Sequence, residues 1–355
     1  MRQINNIMIK VLKSILFSLL PNIFYRFYKK ADFIWMIHPI TIDDIYKRYK
    51  ILRYYPSKIL IYILKFLPVL ILSSINGLRD DKDKDLNGYI FGCFIFPHQI
   101  RDNKLLVRNK IIKAAKLASK LNAYILCIGG LIVVDEDTEK NIRDKYGLTL
   151  ANGAATAVVV MSLRINKIFE EDRKTFEDFS IAIINSTSVK GKLISKYWCQ
   201  YNFKEKLLLG RNLENLDKLR KEINSKNINI SNDLNSIKKY NLVIIAPSYN
   251  RLNFKADYFK DSTLIYDIND PLYDFSKIKL QFPNIKVYKN GLINTSGIKY
   301  NYDLGIPQDN SFVCLSESYL LAQIGPNNQS YFNGVTLNEV NKLKTLFDKS
   351  NFYLN

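Results

Sequence analysis

The residues Ser180-Ile-Ala-Ile-Ile-Asn-Ser-Thr-Ser-Val-Lys-Gly191 set the pattern on which the fold prediction depends. Their first half is a short apolar run typical of a buried strand, and a loop and a helix to about residue 200 follow. Three further apolar runs come later in the chain and begin at Lys206, Leu242 and Thr263. A helix is predicted at 213–225, between the first two. Strands joined by helical crossovers predict a parallel α/β sheet of the kind that binds nucleotides.

The N-terminal half shows a similar rhythm. Strands are predicted at 33–37, 88–96 and 123–128, and a basic amphipathic helix at about 103–121 precedes the last of them. This order again indicates βαβ connections. A charged linker at 170–178 separates the two halves. At 355 residues, the chain is long enough for two domains, each with its own core.

A cysteine near the start of an apolar helix is the strongest candidate for chemistry. In the stretch 311–324, Asn310 or Ser311 is the expected N-cap, which places Cys314 in the first turn. The backbone N–H groups and the helix dipole favour a thiolate there, and a thiolate is a candidate covalent nucleophile. The alternative is that Cys314 is a small buried hydrophobic residue, as most free cysteines are.

The composition is that of a globular protein, with 47% hydrophobic and 24% charged residues. Four scattered cysteines and two histidines predict neither a metal site nor a disulfide framework, so a reducing cytoplasm is the expected location. The formal net charge of +19 favours polyanionic partners, namely nucleic acid, anionic lipid headgroups or an acidic carrier protein. No nucleic-acid-binding motif accompanies the charge, so no nucleic acid partner is expected.

Two segments combine apolar, aromatic and basic residues. Residues 1–31 hold an apolar helix, too short to span a bilayer, which needs about 20 residues, and a run of aromatic and basic residues follows it. This predicts either an interfacial helix on an anionic membrane surface, at the inner face of the membrane, or a helix packed on its own domain. The stretch 51–78 is similar and is broken by Pro56 and Pro68. An acyl pocket and a lipid contact are its two interpretations.

Several separated segments resemble the long-chain acyl-[acyl-carrier-protein] reductases, a family of cyanobacterial fatty aldehyde-forming enzymes and wider bacterial relatives. The matching segments are 33–39, 128–130, 151–157, 182–192, 208–212, 303–307 and 312–317. They follow the family's order over residues 32–345, so the chain is similar to a divergent member. The resemblance implies an α/β fold in which a Rossmann-like parallel sheet domain, residues 170–294, is inserted into an α/β outer domain. That outer domain, residues 32–169 and 295–355, carries the cysteine helix, and residues 1–31 precede it as an amphipathic segment.

The same resemblance implies a chemistry. Cys314 corresponds to the cysteine that takes the acyl group from a thioester of acyl carrier protein or coenzyme A, and NADPH is the implied reductant. Glu317 is a second catalytic candidate, either as a hydrogen-bonding structural residue or as a proton handler. Arg211 and Asn212 follow the second Rossmann strand, where an arginine can grip the 2′-phosphate of NADPH. The alternative is a solvated arginine at a helix start.

The nucleotide loop departs from the family pattern. Its expected cofactor-binding residues are Asn185, Thr187, Ser188 and Gly191, yet only Gly191 keeps one of the three family glycines that align with positions 185, 188 and 191. The first glycine permits a tight turn, and the second lets the backbone approach the diphosphate. Two alternatives follow: a divergent reductase with weakened nucleotide binding, or an inactive relative.

Three functions are consistent with these patterns. The leading prediction is NADPH-dependent reduction of a fatty acyl thioester to an aldehyde through a cysteine acyl-enzyme. The second is a non-catalytic acyl-carrier or membrane-associated binding protein with a degenerate nucleotide site. The third is a dehydrogenase acting on a small amino or keto acid. The apolar stretch 51–78 favours a lipidic substrate over the third.

Overall fold

The computed structural model describes residues 2–80, 82–129, 132, 134–246, 252–268, 274–326 and 336–354, with the backbone alone for residues 2–8. The chain forms two compact units. The first contains Met1–Gly153, Ile293–Gly334 and Leu346–Tyr353, and the second contains Ala154–Leu292, Val335–Thr345 and Leu354–Asn355. The finer domain bounds expected from the sequence stay a prediction.

The part of the chain up to Gly153 supplies most of the first unit. Its elements are α1 (Arg2–Leu19), α2 (Pro21–Phe24), β1 (Phe33–Ile37), α3 (Ile42–Arg48), α4 (Ser57–Leu64), β2 (Leu70–Arg79), β3 (Asp85–Gly92), α5 (Pro97–Asp102), α6 (Lys104–Lys120), β4 (Ile125–Ile128), α7 (Glu136–Tyr146) and β5 (Thr149–Ala151). Short 3-10 turns follow α2 and precede α4, at Tyr25–Phe27 and Lys50–Tyr54. The stretch 51–78 is therefore not one segment, because its last third is the long strand β2.

The second unit begins at the next residue. Its elements are α8 (Ala154–Glu171), β6 (Ser180–Ile184), α9 (Val189–Trp198), β7 (Glu205–Leu209), α10 (Leu213–Ile223), β8 (Ile228–Ser231), β9 (Leu242–Ile245), β10 (Leu264–Asp267), α11 (Ser276–Gln281) and β11 (Lys286–Lys289). The chain then continues with β12 (Leu292–Asn294), β13 (Lys299–Tyr300), β14 (Asn310–Phe312), α12 (Val313–Gln323), α13 (Leu337–Lys349) and β15 (Tyr353–Leu354).

The sheet of the second unit has a diagnostic strand order. Its six strands lie in the order β11-β10-β9-β6-β7-β8, and every neighbouring pair is parallel. Numbered from β6, this is the order 3-2-1-4-5-6 of a Rossmann sheet. The predicted α/β class with a Rossmann-like parallel sheet is confirmed. The order reverses between β6 and β9, and Rossmann sheets bind their ligands beyond the carboxyl ends of the strands at that point.

The first unit is built around the buried strand β1. Its sheet runs β13-β2-β3-β1-β4-β5, with β3, β1, β4 and β5 parallel and β2 antiparallel to β3. Ile34 and Met36 belong to the core cluster under α6, including Ala114 and Ala118. Phe33, on the opposite face, packs its ring 5.4 Å from that of Tyr319 on α12. This apolar run is buried on both faces, as expected of a central parallel strand.

Candidate functional site

The turn between β6 and α9 keeps two local features expected of the predicted nucleotide loop, although it lacks two of the expected glycines. Asn185 has a φ of +60°, the left-handed conformation that the first glycine of the family motif would adopt. Gly191 is a steric necessity, because a Cβ atom there would lie 2.0 Å from the Asn185 carbonyl oxygen. Ser188 is the N-cap of α9, and its hydroxyl accepts the Gly191 N–H at 3.0 Å.

The side chain of Asn185 crosses the point where the strand order reverses. Its Nδ2 donates to the carbonyl oxygen of Ala246, the residue that follows β9, at 3.0 Å. A glycine would leave this space open. This hydrogen bond joins the loop after β6 to the end of β9, and the diphosphate of a dinucleotide lies near the first turn of α9 in Rossmann sheets.

The loops after β6 and β7 are brought together. The Ser186 hydroxyl accepts the Leu209 N–H at 3.1 Å and donates to the Ile183 carbonyl at 2.6 Å. Thr187 lies beside Gly210, since its Oγ1 would be 3.3 Å from a Cβ there. The next residue, Arg211, is exposed, and Asn212 is the N-cap of α10, accepting the Asn215 N–H. The predicted residues 185, 187, 188, 191, 211 and 212 thus belong to one edge of the sheet.

These residues fit a dinucleotide in two respects and resist it in one. The first turn of α9 and the close packing at Gly191 suit a diphosphate, and the exposed guanidinium of Arg211 suits a 2′-phosphate. Against this stands the Asn185 amide, a side chain bonded to Ala246 where the family pattern has a glycine.

The start of α12 differs from the sequence prediction. The predicted N-cap at Asn310 or Ser311 is wrong, because both residues lie in β14 and the N-cap is Phe312, which has no polar side chain. The Ser311 hydroxyl instead bonds to those of Thr295, at 2.9 Å, and Ser316, at 3.1 Å. Cys314 is still in the first turn, as predicted. It is half-buried, whereas Cys93, Cys127 and Cys199 are buried.

A tight turn between β5 and α8 presses against Cys314. Gly153 has a φ of +74°, and a Cβ atom there would lie 2.7 Å from both Cα and Cβ of Cys314. Glu317 holds this turn, since its Oε1 accepts the N–H of Asn152 at 3.1 Å and that of Gly153 at 2.8 Å. The carboxylate is 2% exposed. Of the two roles expected for Glu317, these contacts favour the structural one.

Three residues near this helix were missed by the sequence reasoning. The Cys127 thiol donates to the Cys314 carbonyl oxygen at 2.9 Å. Trp35 of β1 is the register partner of Cys127 of β4. The buried indole N–H of Trp35 and the buried hydroxyl of Tyr319 have no hydrogen-bond partner among the described residues. Trp35 and Cys127 share a face because they are register partners in β1 and β4, which strand alternation alone does not predict. The pairing with α12 had no signal in the sequence.

Burial also changes the pKa values of two of the buried thiols. It raises the pKa of Cys93 and of Cys199 to about 12. Burial also raises the pKa of Tyr319 well above its usual value, and the neighbouring Tyr300 and Cys314 add to the effect. A buried thiol with a raised pKa is a poor nucleophile. In the described ranges, no three His, Cys, Asp or Glu side chains are grouped to hold a metal ion, and no helix is long and apolar enough to cross a membrane.

Part of the sequence resemblance falls outside the described residues, namely Gly130 of the 128–130 match. No family model and no curated protein matches the chain. Among solved structures, L-tryptophan dehydrogenase from Nostoc punctiforme aligns with a TM-score of 0.40 and 9% identity, over 90% of this chain and 80% of that one.

Two other dehydrogenases align similarly. The chorismate mutase/shikimate 5-dehydrogenase fusion protein from Clostridium acetobutylicum gives a TM-score of 0.40 at 10% identity, over 90% of this chain and 98% of that one. Quinate dehydrogenase from Corynebacterium glutamicum gives a TM-score of 0.38 at 8% identity, over 91% of this chain and 100% of that one. Likenesses this weak carry no argument, so the fold assignment rests on the strand order. Kinship with the acyl reductases stays a prediction.

Proposed function

We propose that this chain is a nicotinamide-nucleotide-dependent oxidoreductase that reduces a fatty acyl thioester to an aldehyde through Cys314. The observation that carries the proposal is the placement of Cys314. Cys314 is in the first turn of α12, and it is half-buried, whereas the other three thiols are buried. The N-cap residue of α12 offers no side-chain acceptor to the N–H groups of the helix start. The N–H groups of a helix start stabilise a thiolate and a developing oxyanion.

The first step needs only residues of this chain and the substrate. The Cys314 sulfur attacks the thioester carbonyl carbon, so that a new S–C bond forms while the bond to the carrier sulfur breaks and the carrier leaves as a thiolate. One thioester replaces another, so the exchange is close to neutral in free energy. Gly153 and Glu317 position the cysteine: the glycine lets the turn approach it, and the carboxylate fixes the turn.

The second step is a reduction, for which a nicotinamide nucleotide would supply a hydride when bound. That hydride and a proton from solvent would convert the acyl-enzyme to an aldehyde and return the Cys314 thiol. The residues that would hold the nucleotide are the first turn of α9, with Ser188 and Gly191 at the diphosphate, and Arg211 at the 2′-phosphate of NADPH. The fatty acyl substrate, carried by acyl carrier protein or coenzyme A, follows from the sequence resemblance. The net charge of +19 supports an anionic carrier.

A second candidate function is a non-catalytic protein that binds acyl carriers. One observation favours it, which is the Asn185–Ala246 hydrogen bond across the nucleotide crevice. A protein that no longer binds a dinucleotide has no need of that open space, so a side chain can bridge it without loss.

Acylation of the thiols tests whether Cys314 is the nucleophile. Incubation with palmitoyl-coenzyme A followed by intact mass analysis should show one acyl group, which disappears in Cys314→Ser and persists in Cys199→Ser. Because the pKa values of Cys93 and Cys199 are about 12, these thiols should stay protonated and unmodified below a pH of about 10. An adduct that survives Cys314→Ser refutes the assignment.

Nucleotide affinity tests the reductase against the binding protein. Calorimetry should find NADPH bound more tightly than NADH, and Arg211→Ala should erase the preference. A lost charge-assisted contact is worth about 1.5–3 kcal/mol, or roughly ten- to a hundredfold in affinity. The control is Lys221→Ala, at the other end of α10, where the lysine pairs with Asp217. If neither nucleotide binds the wild-type protein or Asn185→Gly, the binding-protein alternative is the better account.

A further inference from the structure

Exposed apolar side chains are concentrated in one part of the first unit. Of the twenty-one large hydrophobic side chains that are exposed in the described structure, fifteen lie between Ile9 and Phe66. The remaining six are spread over the rest of the described chain. Scattered single residues of this kind need no explanation, but a concentration of them marks an interaction surface.

Helix α1 packs on its own domain and still exposes an apolar side. Phe17 is buried in the core, and the Ser14 hydroxyl accepts the Ile71 N–H of β2 at 2.5 Å. The outer side of α1 exposes Leu12 and Leu19. Helix α2 and the 3-10 turn after it expose Ile23 and Phe27, at 60% and 64%. The sequence predicted either an interfacial helix or a helix packed on its own domain, and α1 can be both at once. A helix held in place by its inner side is free to present its outer side to a partner.

Helix α4 and the 3-10 turn before it repeat this arrangement. Leu60 and Leu64 are buried, and they share a hydrophobic cluster with Ile15 of α1. The outer side exposes Tyr54, Ile59, Tyr62, Ile63 and Phe66, with Tyr54 at 88%. Helices α1 and α4 share this cluster, so they lie near each other in the first unit. We call residues 9–27 and 51–66 together the apolar-basic surface.

Basic groups lie among these apolar side chains. Residues 9–27 and 51–66 contain six Lys and Arg and no Asp or Glu, a net charge of +6. The Lys65 ammonium sits 4.0 Å from the ring centre of Tyr62 and 4.9 Å from that of Phe66, and the Arg26 guanidinium lies 5.9 Å from that of Tyr25. Long basic side chains above aromatic rings suit an interface where the rings enter an apolar layer and the charges stay at its polar edge.

We propose that the apolar-basic surface docks on an anionic lipid bilayer, without crossing it. The charge selects this occupant over a second copy of the chain, because two copies would bring two surfaces of charge +6 together. The interleaving of charges selects lipid over a protein partner, since the centres of protein interfaces are depleted of lysine. A bilayer accepts apolar and aromatic groups beside anionic headgroups, and it needs no complementary shape. The proposal does not depend on the nucleotide or the cysteine chemistry.

The test uses the full chain and vesicles of phosphatidylcholine with or without phosphatidylglycerol. The protein should cosediment with the anionic vesicles, and added salt should weaken binding because it screens the charges. The triple variant Tyr62→Ser/Ile63→Ser/Phe66→Ser should lower the vesicle partition by about tenfold or more. Its matched control is Leu105→Ser/Leu213→Ser/Leu280→Ser, which removes three exposed apolar side chains outside the surface and should bind as wild type.

Unfolding midpoints show whether each variant is folded, and light scattering reports self-association. Truncation of residues 1–30 is a poorer test, since it would also remove Phe17 from the core. Equal binding by the two triple variants overturns the proposal. So does equal binding to neutral and anionic vesicles. If the chain dimerises in solution and the surface variant abolishes dimerisation without changing the vesicle partition, the surface is a self-association site instead.

Discussion

Helices α9 and α12 both begin shortly after a strand and both carry residues proposed for function in or before the first turn. At α9, residues close in sequence complete the helix start: Ser188 caps it, and Asn185 provides the left-handed turn. At α12, the N-cap Phe312 contributes no side-chain acceptor, and a turn from a distant part of the sequence braces the cysteine.

This difference predicts which properties mutations at each helix start will change. The cap and the left-handed residue of α9 come from the neighbouring positions 188 and 185, so changes to these two side chains should alter ligand affinity while leaving the fold largely intact. The α12 start depends on Gly153 and Glu317, whose hydrogen bond joins residues 164 positions apart. Changes to that contact should therefore affect stability and cysteine reactivity together.

The largest effect is expected at Gly153. In Gly153→Ala, a left-handed alanine costs about 1–2 kcal/mol, and the clash with Cys314 adds about 1–3 kcal/mol of overpacking. The urea midpoint should fall and acylation of Cys314 should slow. Gly147→Ala is the control, because Gly147 also has a positive φ, of +64°, but nothing lies within 4 Å of its added Cβ. If both variants lose the same stability and Cys314 reacts normally in each, the turn does not brace the cysteine.

Glu317 should have the next largest effect. Alanine would remove the acceptor of two backbone N–H groups, at a cost of about 1.5–3 kcal/mol. Glu317→Gln keeps an oxygen acceptor and should restore most of the stability and of the acylation rate. The measurement pairs urea unfolding with the rate of Cys314 acylation. A Gln variant that is as stable as wild type yet chemically inactive would indicate instead that the carboxylate handles a proton.

Asn185→Gly should have the smallest effect, and that effect should be a gain in NADPH affinity, whereas the two other variants lose stability and acylation rate. Glycine keeps the left-handed turn and removes the amide that bonds to Ala246. NADPH affinity should therefore rise by about three- to tenfold, or roughly 1 kcal/mol. Asn224→Gly is the matched control, since Asn224 is also left-handed, with a φ of +49°, but ends α10. Calorimetry that finds the same affinity in both variants would mean that the Asn185 side chain does not restrict the site.

The sequence by itself determined the class of fold and the place of the cysteine. Buried parallel strands are short apolar runs, so the strands at 33–37 and 180–184 and the helices near 104–120 and 213–223 could be read from composition and period. The position of the nucleotide loop was also predicted, because a strand, a loop and a helix follow one another within residues 180–200; its cap and its left-handed residue were not. The predicted features depend on local backbone preferences, which neighbouring residues carry.

Only the tertiary structure decided what surrounds Cys314. The N-cap moved to Phe312 because residues 310–312 pair as a strand, and strand pairing depends on distant partners. The contacts of Glu317 with the 152–153 turn, of Cys127 with Cys314, and of Ser14 with β2 join positions 57 to 187 residues apart. The strand order that defines the Rossmann sheet is of the same kind. The residues in contact carry no shared local pattern, since the chain fold alone brings them together.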